Sequence, residues 1–298
     1  MKATSLLITL HILSFCIVDQ NAFADEFEIK GIVKIIRPEN SRARTPSPSE
    51  VSFAYRDGQW HFAQKAQHSN GHSFHQIWDD GRYMYGITSV YIDPSKPAPD
   101  MSKIPGFQKV RVSTSPATPA IKNNTQIYPS GFPNELSDPE PALLFYAYAS
   151  SRYLDSSTNG VLDPIKLSPT DMGQGTRRVK ADVVRNSDSL RLPRSICFFD
   201  YFSPSKTSAV FTASNFTNIG KIQIPLNVEV ARYSDDGNRW LETYQFEVQD
   251  VKSKSSLDSF TPAPPRRATF QDYRFGMQYS RSFYYGVVTN HWPTEDET

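Results

Sequence analysis

Residues 49–91 alternate large aromatic side chains with polar ones and are cut by Asp-Gly pairs, a period-two pattern that an antiparallel meander satisfies and a helix does not. VSFAYR-DG-QWHFAQ reads as two strands joined by a two-residue turn at Asp57-Gly58. That turn pairs Phe53 with Phe62 and Tyr55 with Trp60, on one face with Val51. A second two-residue turn, at Asp80-Gly81, pairs Trp78 with Tyr83, Gln76 with Tyr85 and Phe74 with Ile87. The loop between the middle strands fixes whether the two aromatic sets coincide, because a one-residue slip turns every side chain to the other face. A two-residue Asn70-Gly71 turn sets them on opposite faces. A three-residue loop, Ser69-Asn70-Gly71, with glycine left-handed, unites them and pairs Phe62 with Trp78. The expectation is a four-strand sheet with one aromatic face, built by Phe53, Tyr55, Trp60, Phe62, Phe74, Trp78, Tyr83 and Tyr85.

HSNGHSFH, residues 68–75, holds three of the six histidines of the chain. On the three-residue register His68 faces His72 while His75 points to the other side. Two imidazoles fall short of the three protein ligands usual at catalytic zinc, so a polar hairpin tip is expected and no metal. No nucleophile elbow, zinc-protease helix, phosphate loop or dinucleotide fingerprint occurs, so no catalytic residue is assigned and no cofactor is expected. A dispersed serine hydrolase leaves no local signature, and His61, His68 and His72 stay open as an alternative.

Further along, ten of the twenty-two prolines fall between Pro94 and Pro141. Proline removes ladder donors, so residues 93–141 are expected to be a mostly irregular excursion, with Phe107, Ile121, Tyr128 and Phe132 packed on the domain. Ser137-Asp138-Pro139-Glu140 then caps a helix that PALLFYAYASSRYL continues to about residue 153. Strand patterns follow at 208–217, 222–233, 239–252 and 283–289, with Asp235-Asp236-Gly237-Asn238 as a hairpin turn. With fifteen Tyr, nineteen Phe and four Trp, the fold class is α+β and mostly antiparallel β. The expected architecture is a strongly curved sheet or half-barrel, partly closed by one or two helices and the proline-rich excursion.

The N-terminus sets the compartment. Lys2, the apolar run 6–18 and Ala22-Phe23-Ala24 have the layout of a signal peptide, with cleavage expected before Asp25. Thirteen apolar positions are too few to span a bilayer. Residues 1–24 are therefore a signal peptide and 25–298 a single β-rich domain, soluble in the periplasm or outside the cell. Beyond residue 24 only Cys197 remains, a small apolar side chain in SICFF. A formal net charge of +1 without a long basic run excludes an electrostatic footprint for nucleic acid.

EFEIKGIVKI, VSFAYRDGQWHF and DDGRYMYGI in an exported chain resemble the periplasmic outer-membrane lipoprotein carrier superfamily, mainly over residues 26–90. LLFYAYASSRYLDSSTNGVLDPI and VFTASNFTNIGKIQIP are similar to uncharacterised exported bacterial proteins. The carrier resemblance implies a curved antiparallel sheet whose concave apolar face, partly closed by helices, receives acyl chains. The proline-rich excursion departs from it. The function expected is thus a cell-envelope binding or carrier protein for a hydrophobic small molecule or acyl chain, with an envelope protein as a further partner. The alternatives are an exported hydrolase using the 61–75 histidines and a non-enzymatic scaffold.

Overall fold

Asp57 and Gly58, at φ 50° and 88°, make the left-handed turn that the right-handed twist of two paired strands favours, and with it the expected first hairpin. It joins β2 (Ser49–Arg56) to β3 (Gln59–His68), with Phe53 opposite Phe62 and Tyr55 opposite Trp60. The computed structural model describes residues 25–41, 45–68, 71–91, 108–115, 136, 139–156, 161–162, 178–179, 181–187, 190–199, 205–234, 237–264, 268–272, 282–285 and 291–292.

The next loop departs from expectation. β4 (Gly71–Asp79) pairs with β3 so that His68 meets Gly71, leaving two positions between them instead of three. Phe62 therefore faces Ile77, and Trp78 faces His61. Trp78 and Phe74 lie on the face away from Phe62, whereas His75 shares the Phe62 face, with ring centroids 6.0 Å apart. The single aromatic face is thus corrected to two faces. The physical reason is a second apolar cluster on the far side. There Tyr85, Val110 and Val112 pack with Trp78, Tyr83, Ile87 and Trp292, so both aromatic sets find cover. The β4–β5 turn is also displaced by one residue: Asp80 N–H donates to Tyr83 O and Trp78 pairs with Tyr85. Gly81, at φ 87°, takes the first turn position. Asp79 and Asp80 accept the Gly81, Arg82 and Tyr83 amides, so these paired acids hold the turn.

Beyond β5 (Tyr83–Tyr91), the proline-rich excursion contains a regular strand that its composition concealed, β6 (Gln108–Thr114). Phe107, Ile121, Tyr128 and Phe132 lie outside the described residues. β6 pairs antiparallel with β5 and parallel with β14 (Ala268–Asp272), which carries β15 (Ser282–Tyr285) at the edge. β1 (Glu26–Ile36) joins this wing to the other: β13 (Trp240–Lys252), β12 (Ile222–Tyr233), β11 (Thr207–Ile219), β10 (Pro193–Phe199) and the edge strand β9 (Ala181–Arg185). These thirteen strands form one open, curved, almost wholly antiparallel sheet, with β7 (Val161–Leu162) and β8 (Arg178–Val179) paired apart from it.

The trough of this half-barrel holds α1 (Pro139–Tyr148). Every residue from Pro141 to Tyr148 is buried, as a helix apolar all round requires. Phe53, Trp60 and Phe27 reach Phe145 and Tyr148 from one wing, and Phe198, Phe211 and Phe246 reach Tyr146 and Tyr148 from the other. The Tyr148 hydroxyl donates to Pro225 O at 2.8 Å, which satisfies the one polar group this side chain buries. The helix expected to reach residue 153 stops at Tyr148 and resumes as α2 (Ser151–Ser156). At the break Ser150 Oγ donates back to Tyr146 O at 2.8 Å, the local competition by which serine interrupts helices.

At Gly31 the β1–β13 register shifts, and an added Cβ would stand 2.2 Å from Glu247 O and 2.6 Å from the Phe246 ring. Gly31→Ala is expected to cost about 1–3 kcal/mol in urea unfolding, because β13 must retreat from the centre of the sheet.

Candidate functional site

Because α1 ends at Tyr148, the end of the trough beside the β2–β3 turn is left unfilled. A cleft of about 330 Å³ lies there. Tyr55, Trp60 and Tyr148 form its floor, Leu190 and Leu192 close one side, and Asp25, Asp57, Gly58 and Arg152 edge it. Tyr55 and Trp60 are 6 % and 2 % exposed, so the floor is the rim of the aromatic core. Burial pushes the Tyr55 phenol up to about 12, against the pull of the Arg152 charge, and the floor is uncharged at neutral pH. Arg152 lies flat on the turn: a Cβ on Gly58 would come within 2.6–3.0 Å of three guanidinium atoms. Its Nη2 donates to Asp57 O at 3.4 Å.

Of the eight aromatic residues expected to bind ligand, four are on the trough face. Phe53 and Phe62 are fully buried beneath α1, while Tyr55 and Trp60 border the cleft. Phe74, Trp78, Tyr83 and Tyr85 belong to the other face. The histidines do not converge either. His61 and His72 are on the outer face, about six residues or ~20 Å apart along the strands, and His75 is on the inner one. The side chain of His68 is outside the described residues, and among those described no three metal-ligating side chains gather. Burial drives His61 down to about 3, against the charge of Glu28, so it is neutral at pH 7. Its ring lies 3.8 Å from that of Trp78, and among the described residues neither His61 Nε2 nor Trp78 Nε1 has a hydrogen-bond partner.

That outer face is crossed by residues 253–264. Ser255 N–H donates to Glu26, and the Ser256 amide and hydroxyl both donate to Glu28. Arg56 donates to Leu257 O and lies 5.3 Å over the Phe260 ring, and Thr261 donates to Asp80. Trp292 donates to Pro262 O while its ring sits 4.7 Å from Tyr85. The segment straps the outer aromatic cluster to the end of the sheet that carries the cleft.

On the trough face, opposite Trp60, stands Asp79, 1 % exposed. Its carboxyl accepts Ser115 Oγ–H and Gly81 N–H, each at 2.7 Å, and a bond from the Trp60 side chain, so a wall of the cleft hangs on this acid. Burial pushes its pKa up to about 7, against the bonds from Ser115, Gly81 and Trp60 and with the charge of Asp80 adding.

The sequence offered no sign of Arg152, Tyr148, Leu190 or Leu192 as site residues. Reading one unbroken helix hid the gap at 149–150, and SLRLP has no period that would aim its leucines. The break-forming Ser150 was the one available signal.

The sequence matches no protein-family model and no curated protein. Among solved structures it is similar to the crystal structure of a LolA superfamily protein from Nitrosomonas europaea, at 13% identity over 80% of this chain and 90% of that one, with a TM-score of 0.34. The likeness is a loose one of fold. Among the described residues no helix is long and apolar enough to cross a membrane.

The two perturbed groups give opposite pH signatures. Asp79 binds a proton in the folded state up to about pH 7, but only to about 4 unfolded, so its contribution favours folding at low pH and is lost as pH rises through that window. His61 takes a proton below about 6.5 only when unfolded, so its contribution is lost as pH falls from 6.5 towards 3. Urea unfolding between pH 4 and 7 should therefore show Asp79→Asn gaining on the parent as pH rises and His61→Phe gaining as pH falls, each on the order of a few kcal/mol.

Proposed function

We propose that the chain is an exported binding or carrier protein of the cell envelope that takes a hydrophobic ligand at the mouth of its trough. The observation that carries this reading is the cleft whose floor is the aromatic core itself, where Tyr55, Trp60 and Tyr148 meet beyond the end of α1. Its volume is at the lower end of the ~300–1,000 Å³ typical of small-molecule sites, which suits one acyl chain or a ligand of similar bulk. Of the eight aromatics, Tyr55 and Trp60 make the contact; Phe53 and Phe62 lie one layer deeper, and of the outer four Trp78, Tyr83 and Tyr85 pack in their own cluster. Export rests on the leader-like residues 1–24. The described histidines of 61–75 do not converge: His61 is buried against Trp78, His72 lies about six residues away on the same outer face, and His75 points into the trough.

Titrating the protein with long-chain alcohols should change the intensity of tryptophan emission and raise Tm with ligand concentration. Trp60→Phe should remove most of the spectral change, which assigns the site. Ser151 lines the cleft and is half-buried, so Ser151→Trp should fill it and weaken binding by about tenfold or more in a protein that still folds. No response to any chain length, or undiminished binding by the Ser151→Trp variant, would remove this function from the cleft.

A further inference from the structure

Arg152 is the one cationic side chain among the described residues that line the cleft, and the rest of the protein uses little of it. We infer that Arg152 is a head-group site, so that the ligand is an anionic amphiphile: a single apolar chain ending in a carboxylate. The inference rests on the reading of the cleft as a ligand site.

Arg152 is exposed, and its one hydrogen bond among the described residues, to Asp57 O, is 3.4 Å long, beyond the usual 2.7–3.2 Å. A guanidinium has five N–H donors in a planar fork that matches a carboxylate edge on. Here the guanidinium rests on the turn, with three of its atoms within 3.0 Å of where a Cβ on Gly58 would be, an approach that a side chain at position 58 would block. Apart from the long bond from Nη2 to Asp57 O, its donors are open to a planar anion. Tyr55, Trp60, Leu190 and Leu192 line the cleft together with this fork, so a charged head and an apolar chain meet their partners in one site.

Two acids share the rim and favour the opposite sign. Asp57 is exposed at the tip of the turn, where its field is screened by water and salt. Asp25 is half-buried and already has a partner within the protein. The preference for an anion rests on the donor fork of Arg152 and not on net charge.

The test uses three probes of equal chain length on the purified protein, each below its micelle concentration: dodecanoate, dodecanol and dodecyltrimethylammonium. The expected result is dodecanoate bound about tenfold or more tighter than dodecanol, as one charge-assisted pair supplies, with the advantage shrinking as salt rises. Arg152→Gln should bring dodecanoate down to the level of dodecanol in a variant whose far-UV circular dichroism matches the parent. Arg152→Glu should reverse the order in favour of the ammonium probe. Equal binding of dodecanoate and dodecanol by the parent, or an advantage that survives Arg152→Gln, would overturn the head-group site while leaving the cleft as an apolar site. Binding of none of the three would overturn the reading of the cleft, and this inference with it.

Discussion

A helix that is apolar on every side has to be covered on every side, and the architecture follows from enclosing α1. One flat sheet covers one stripe of a helix; two wings, curved about β1, cover the rest. Phe27, Phe53 and Trp60 arrive from one wing and Phe198, Phe211 and Phe246 from the other, so α1 serves as the shared core of both. Curvature at the centre needs close strand approach, which is the office of Gly31 and the register shift beside it. The cleft lies at the break between α1 and α2, where Ser150 bonds back to Tyr146.

The wing made of β2 to β6 carries aromatic side chains on both faces, which is why it needs two covers. α1 covers the inner face, and the strap 253–264 with Trp292 covers the outer one. Both covers are anchored near the β2–β3 and β4–β5 turns, at Arg56, Glu26 and Asp80 outside and at Arg152 on Gly58 inside. Trp60 joins them, since its ring borders the cleft while its side chain bonds Asp79 beside Asp80.

Where local chemistry decided the outcome, the fold was legible in the residues alone. Asp57-Gly58 dictates its turn, the run 222–233 is a strand with those bounds, and Asp235 to Asn238 separates two paired strands. The β3–β4 register was not legible, because the assumption that aromatics gather on one face fails when a distant segment supplies a second cover. Residues 253–264 and Trp292 carry no local mark of that role. β6 was concealed by the prolines around it, its own QKVRVST being free of them. The cleft was half legible: Tyr55 and Trp60 come from the first hairpin, but Arg152, Leu190 and Leu192 are brought to them from roughly 90 to 140 residues further along the chain by packing that no short pattern encodes.

β1 stands in the middle of the sheet although it is the first strand of the described chain. One neighbour is β2, close by in sequence; the other is β13, and Glu26 meets Ser255 across 229 residues. At synthesis rates of ~5–20 residues per second, roughly 10–45 s pass between making β1 and making the strand that completes it. Throughout that interval β1 has a bare edge, and α1 lacks half of its enclosure. The danger of aggregation is therefore concentrated in a window set by translation, and the stability of the finished sheet does nothing to shorten it.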